Sequence, residues 1–75
     1  MEAKTKTMEM DYRITPREKH ILQLVVNGYS NREIAEEFGI SVRTVEAHRQ
    51  NLFRKFQVDN VVKMVRLALE MRLIS

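Results

Sequence analysis

The sequence predicts an all-α fold: four short helices with a helix-turn-helix at the centre. Three observations carry that prediction. Hydroxyl residues with helix-capping spacing stand at Thr15, Ser30 and Ser41. Apolar residues follow each of them at helical spacing, and no segment sustains the two-residue alternation of a strand. Glycines at positions 28 and 39 fall where the first two helices should end.

The first helix is expected over about residues 16–27. Thr15 supplies an N-cap hydroxyl, Pro16 sits at the first helical position, and Glu18 completes a capping box. Ile21, Leu22, Leu24, Val25 and Val26 form its apolar run, and Gly28 stops it. A second capping box, Ser30 with Glu33, opens a helix over about 31–38, whose apolar residues are Ile34, Ala35 and Phe38. Gly39 closes it.

Ser41 caps the third helix, expected over about 42–56, with Val45, Leu52 and Phe56 on one stripe. Gln57-Val58-Asp59-Asn60 reads as a short connection, with Asp59 or Asn60 capping a fourth helix over about 60–71. Residues 1–13 lack sustained periodicity and read as a flexible N-terminal segment or linker, leaving 14–75 as the domain.

Composition narrows the function classes. At 75 residues the chain suits one domain and not two. Without cysteine there is no disulfide framework and no thiolate metal site. No apolar run approaches the roughly 18 residues of a membrane span, and the first residues do not form a secretory signal. A cytoplasmic protein, at the bacterial nucleoid, is expected. Catalysis is not: there is no glycine-rich phosphate loop, and His20 and His48 have no partner at metal or triad spacing. No cofactor and no metal are expected.

Charge is unevenly spread. Residues 41–56 hold Arg43, Arg49, Arg54 and Lys55 against Glu46, an excess equal to the whole chain's net charge of +3. Residues 30–40 are acidic, with Arg32 against Glu33, Glu36 and Glu37. A basic stripe on one helix is what phosphate neutralisation requires, although a solvated helix face has the same composition.

The segment Asn31–Gln50 fits the helix-turn-helix pattern. Ala35 stands where the helices cross, Gly39 in the tight turn, and Val45 where a branched residue packs back on the first helix. With Val45 at zero on a helical wheel, Leu52 and Phe56 lie within about 20° and mark the core side. Arg43, Ala47, Gln50 and Arg54 cluster opposite, with Glu46 on one edge and Thr44, His48, Asn51 and Lys55 on the other. Such a surface suits the major groove of B-DNA.

Chemistry then suggests roles. Arg43 can take a guanine edge or a phosphate, Gln50 an adenine, and Glu46 a cytosine amino group, while Ala47 permits close approach. Arg54 adds positive charge to the same face. Thr44, His48, Asn51 and Lys55 suit phosphates, which set register. The helix starts at Ser30-Asn31-Arg32 and Ser41 offer backbone amides to phosphate oxygens. Plainer roles stay open: Thr44 as a cap, His48 as a structural histidine, and Glu46 paired with Arg43, Arg49 or Gln50.

The fourth helix carries two apolar stripes. Val61, Met64, Val65, Ala68 and Met71 suit the core, and Val62, Leu69 and Leu73 lie roughly 120–140° away. The second stripe needs its own cover. A second copy of the chain would bury it, with Val62, Val65, Arg66, Leu69 and Leu73 at a two-fold interface and two half-sites read on double-stranded DNA. The first helix or the N-terminal lead is the alternative cover.

From Ile14 to Ile74 the chain resembles the LuxR/FixJ/NarL-type domain, also called GerE-type. The resemblance rests on Ile14-Thr15-Pro16-Arg17-Glu18, on Gly28-Tyr29-Ser30-Asn31-Arg32-Glu33-Ile34-Ala35, and on Ile40-Ser41. It continues through Thr44-Val45-Glu46-Ala47-His48-Arg49, Lys55, Val58 and Leu73-Ile74, and the Thr-Val-Glu-x-His-Arg string is most similar to the FixJ side. It implies a bacterial transcription regulator of the two-component type, dimers through the fourth helix, base contacts at Glu46, Ala47 and Gln50, and backbone contacts at Arg32, Thr44, His48 and Lys55. Contact with RNA polymerase would be in keeping.

Two departures stand out: Phe56 where the family usually has leucine, and Met71-Arg72 where it often has glycine. Most members carry a regulatory domain, so the chain reads either as an excised effector domain or as a short stand-alone regulator. Two rival readings are a sigma-factor promoter-reading region and a protein-interaction module that has lost DNA.

Overall fold

The computed structural model describes residues 14–74; the expected flexible segment 1–13 lies outside the described residues. Four helices follow in order: α1 (Pro16–Val26), α2 (Asn31–Phe38), α3 (Val42–Phe56) and α4 (Val61–Glu70). No strand occurs among the described residues.

All four helices begin on a capping side chain. Thr15 and Ser30 form reciprocal capping boxes with Glu18 and Glu33. Ser41 accepts from the Thr44 amide, and Asn60, not Asp59, caps α4 by accepting from the Lys63 amide. The first and last helices are shorter than expected, because Asn27 and Met71 are C-caps rather than helical residues and Asn60 lies outside α4.

All four also end alike. A residue with positive φ follows each helix, and the amide after it reaches back along the last turn: Tyr29 to Leu24, Ile40 to Ala35, Val58 to Phe53, Leu73 to Ala68. The left-handed residues are Gly28 (φ 91°), Gly39 (φ 69°), Gln57 (φ 58°) and Arg72 (φ 60°). At Gly39 an added Cβ would meet nothing within 4 Å, so the position asks for backbone freedom and not for space.

The principal packing pairs all include α3, which lies against α1, α2 and α4. The core holds Ile21, Leu22 and Leu24 of α1, Ile34 and Ala35 of α2, Val45, Leu52 and Phe56 of α3, and Met64 and Ala68 of α4. Each set follows the helical period, so burying one stripe of α3 leaves its opposite side outside. Ile74 folds back and is also buried. Ala35 is 5 % exposed at the α2–α3 crossing, as its small side chain requires. No helix among the described residues is long and apolar enough to cross a membrane.

Candidate nucleic-acid interface

The outward side of α3 is polar and open. Arg43, Glu46, Ala47, Gln50 and Arg54 are all exposed, on the side away from Val45, Leu52 and Phe56. The small Ala47 leaves a shallow centre between longer side chains. Arg54 Nη1 donates to Asn51 Oδ1 at 2.9 Å, which holds the guanidinium along the helix. Glu46 forms no ion pair among the described residues, so the possible pairing with Arg43, Arg49 or Gln50 is not made. Its carboxylate is open to a donor from outside.

Two helix starts flank this face. In α2 the capping box occupies the Ser30 and Glu33 amides, at 2.8 and 3.1 Å. The Asn31 and Arg32 amides between them are the orphan donors of the first turn, with Arg32's exposed side chain beside them. In α3 the Ser41 hydroxyl takes the Thr44 amide at 3.0 Å and lies 2.8 Å from the Thr44 hydroxyl. Thr44 therefore takes part in the cap and stays exposed. The amides of Val42 and Arg43 have no partner among the described residues. Both starts combine unpaired N–H groups with the positive end of a helix dipole, and both suit an anion.

Two residues of the basic segment are not on this face. Lys55 Nζ lies 2.7 Å from Glu18 Oε1, and the two side chains are 21 % and 6 % exposed. This ion pair ties the last turn of α3 to the capping box of α1, whose Thr15 amide uses the same oxygen at 3.0 Å. Burial pushes the Glu18 carboxyl up, but the Lys55 and Thr15 hydrogen bonds and the Lys55 charge outweigh it. The net position is below the ordinary glutamate range. Arg49, about 40° from Val45 on the wheel, donates from Nη1 to Asn31 Oδ1 at 2.8 Å, and its burial lowers its pKa. His48 and Asn51 are half-buried, between core and face.

Neither contact is legible in the sequence. The helical wheel puts Lys55 on the phosphate edge and gives Arg49 no partner beyond a possible Glu46. The true partners lie 37 and 18 residues away, and only the orientation of Arg49 toward the core side is readable from the chain. Phe38 carries a third cluster without a sequence signal: Arg17 stacks 4.5 Å over its ring and His20 meets its edge at 4.8 Å.

On the far side of the domain, α4 and the end of α1 form a groove of about 510 Å³. Val25, Val26, Val61, Val62, Val65 and Leu69 line it, and Arg66 and Glu70 lie at its rim. Val62 is 64 % and Leu69 44 % exposed. Leu73 sits apart from this group: it is half-buried and packs against the core.

A four-helix domain with a polar, partly basic α3 face between two capped helix starts is a helix-turn-helix DNA-binding domain. The family model described as "Bacterial regulatory proteins, luxR family" matches residues 13–68, and the chain belongs to that family. It is 45 % identical over 62 residues to the transcriptional regulatory protein MctR of Rhizobium johnstonii, covering 83 % of this chain and 29 % of that one. With the transcriptional regulatory protein FixJ of Bradyrhizobium diazoefficiens it shares 39 % over 56 residues, 75 % of this chain and 27 % of that one. The chain thus spans under a third of these relatives.

Among solved structures, the transcription factor GerE superposes with a TM-score of 0.78 at 33 % identity, covering 81 % of this chain and 91 % of that one. The response regulator ChrA of a heme-sensing two-component system gives 0.80 at 32 %, over 96 % of this chain and 36 % of that one. The family match sets aside the sigma-factor reading.

Proposed function

We propose that this domain binds double-stranded DNA as a dimer, with α3 in the major groove of each of two half-sites. The observation that carries the reading is the exposed Arg43–Glu46–Ala47–Gln50–Arg54 face, set between two helix starts with unpaired amides. Gln50, Glu46, Ala47 and Arg43 read base edges. Arg32, Thr44, His48, Asn51 and Arg54, with the amides at Ser30-Asn31-Arg32 and Ser41, hold phosphates and set register. Lys55 contributes charge near the backbone from its seat on Glu18.

The apolar groove on α4 supports the dimer. Val62 and Leu69 are large, exposed and adjacent, and a second copy presenting the same groove buries both by two-fold symmetry. Val65 and Arg66 complete the contact, while Leu73 supports it from the core side. In this reading the domain is the effector part of a bacterial two-component response regulator. It works in the cytoplasm, on the nucleoid, within reach of RNA polymerase, without cofactor or catalysis.

Titration against mixed-sequence and selected duplexes at several salt concentrations tests the reading. Affinity should fall steeply with salt, and sedimentation should show self-association strengthened by DNA. Salt-independent or absent binding up to high protein concentration would point to a protein-interaction module instead.

A further inference from the structure

Arg49 is a basic residue in the DNA-reading helix that does not face outward. It is half-buried, and its Nη1 donates to Asn31 Oδ1 at 2.8 Å, across the α2–α3 crossing. A guanidinium has donors only. It therefore takes the carbonyl end of the Asn31 carboxamide and turns the Nδ2 amino group away. That group makes no hydrogen bond among the described residues. Asn31 is the first residue of α2, beside the unpaired amides of its own and the Arg32 backbone. A phosphate oxygen has acceptors only, so a carboxamide held this way presents the matching end.

We propose that Arg49 is a positioning residue for DNA binding: it fixes the Asn31 carboxamide so that Nδ2 donates to a backbone phosphate at the start of α2. The inference rests on the DNA-binding reading above. Arg49 touches no phosphate itself. Its charge is spent on Asn31, and the chain of polarity runs from guanidinium to carbonyl and from amino group to phosphate. Without Arg49 the carboxamide is free to turn its oxygen toward the DNA, where it would repel.

Duplex affinity at four salt concentrations is measured for the wild type, Arg49→Met, Arg49→Lys, Asn31→Ala and the Arg49→Met/Asn31→Ala double variant. Arg49→Met should weaken binding by about tenfold while the slope of affinity against salt stays at the wild-type value, because no phosphate contact leaves with it. Arg49→Lys, which keeps a donor, should recover most of the loss. The double variant should bind no more weakly than the worse single one. By NMR, the Asn31 side-chain amide protons should shift on adding duplex in the wild type and in Arg49→Lys.

A slope reduced by about one in Arg49→Met would make Arg49 itself a phosphate contact and overturn the proposal. Additive losses, unchanged affinity or an unshifted Asn31 amide would also overturn it. If Arg49→Met fails to fold, Arg49→Lys, Asn31→Ala and the amide shift still decide the matter. A wild type that does not bind duplex would instead refute the DNA reading itself.

Discussion

Helices α3 and α4 each bury one stripe in the same core and each leave a second side in solvent, but the two outward sides have opposite chemistry. On α3 it is Arg43, Glu46, Ala47, Gln50 and Arg54. On α4 it is Val62 and Leu69. A polar face of mixed charge can stay wet until it meets a charged, hydrated surface. An exposed apolar face is stable only as a site for something equally apolar. The difference teaches that one small core can orient two recognition surfaces without either contributing to it. It also explains why α3, which must hold its pitch against a rigid duplex, is fastened by polar contacts at Arg49 and Lys55. Such contacts have direction, which apolar packing lacks.

The most damaging way to break this comparison is to unseat α3. Lys55→Met leaves the Glu18 carboxylate, 6 % exposed, without its cation, and should lower folding stability by about 3 kcal/mol in urea titrations. A loss under about 1 kcal/mol would reduce the pair to a surface bridge. The same pair sets an acid limit. Because the folded carboxyl lies below its unfolded value, its contribution is full above the ordinary glutamate pKa of about 4.3 and is lost as pH falls through the lower folded value. In Lys55→Met burial pushes the carboxyl up without the lysine to oppose it, so that acid loss should shrink.

The outward faces are tested next, each by its own readout. Gln50→Ala should cost about 1–3 kcal/mol at one base position and leave other sequences unaffected. Equal weakening on every sequence would move Gln50 to the backbone set. Leu69→Asp should leave the monomer folded and weaken self-association by about 2 kcal/mol per copy, from the apolar area no longer buried. Sedimentation that showed an unchanged dimer would place the interface elsewhere.

The smallest effect sharpens the end of α4. Arg72 holds a left-handed φ of 60°, at a position where the family often has glycine. Arg72→Gly should remove that strain and, after glycine's own entropy cost, gain about 0.5 kcal/mol. Gly39→Ala should do the reverse and lose about 1 kcal/mol. Melting temperatures would move by a few degrees in opposite directions.

Much of this architecture is legible in the order of residues. Thr15, Ser30 and Ser41 mark three helix starts, and Gly28 and Gly39 mark two stops. The stripe of Val45, Leu52 and Phe56 tells which side of α3 faces inward, and hence which residues face out. Gln57 and Arg72 make the same left-handed stops, yet neither is a residue type that announces one. The groove of α4 is half legible: Val62 and Leu69 stand out as a second stripe, but the contribution of Val25 and Val26 does not.

Capping, helical period and glycine stops act over three to six residues, so the amino-acid sequence by itself places the four helices and the outward face of α3. The pairings of Lys55 with Glu18 and of Arg49 with Asn31 are settled only when α1 and α2 come to rest against α3. How each helix seats depends on how all the core side chains fit at once. For that reason a long-range ion pair or hydrogen bond is a property of the packed domain and not of any stretch of chain.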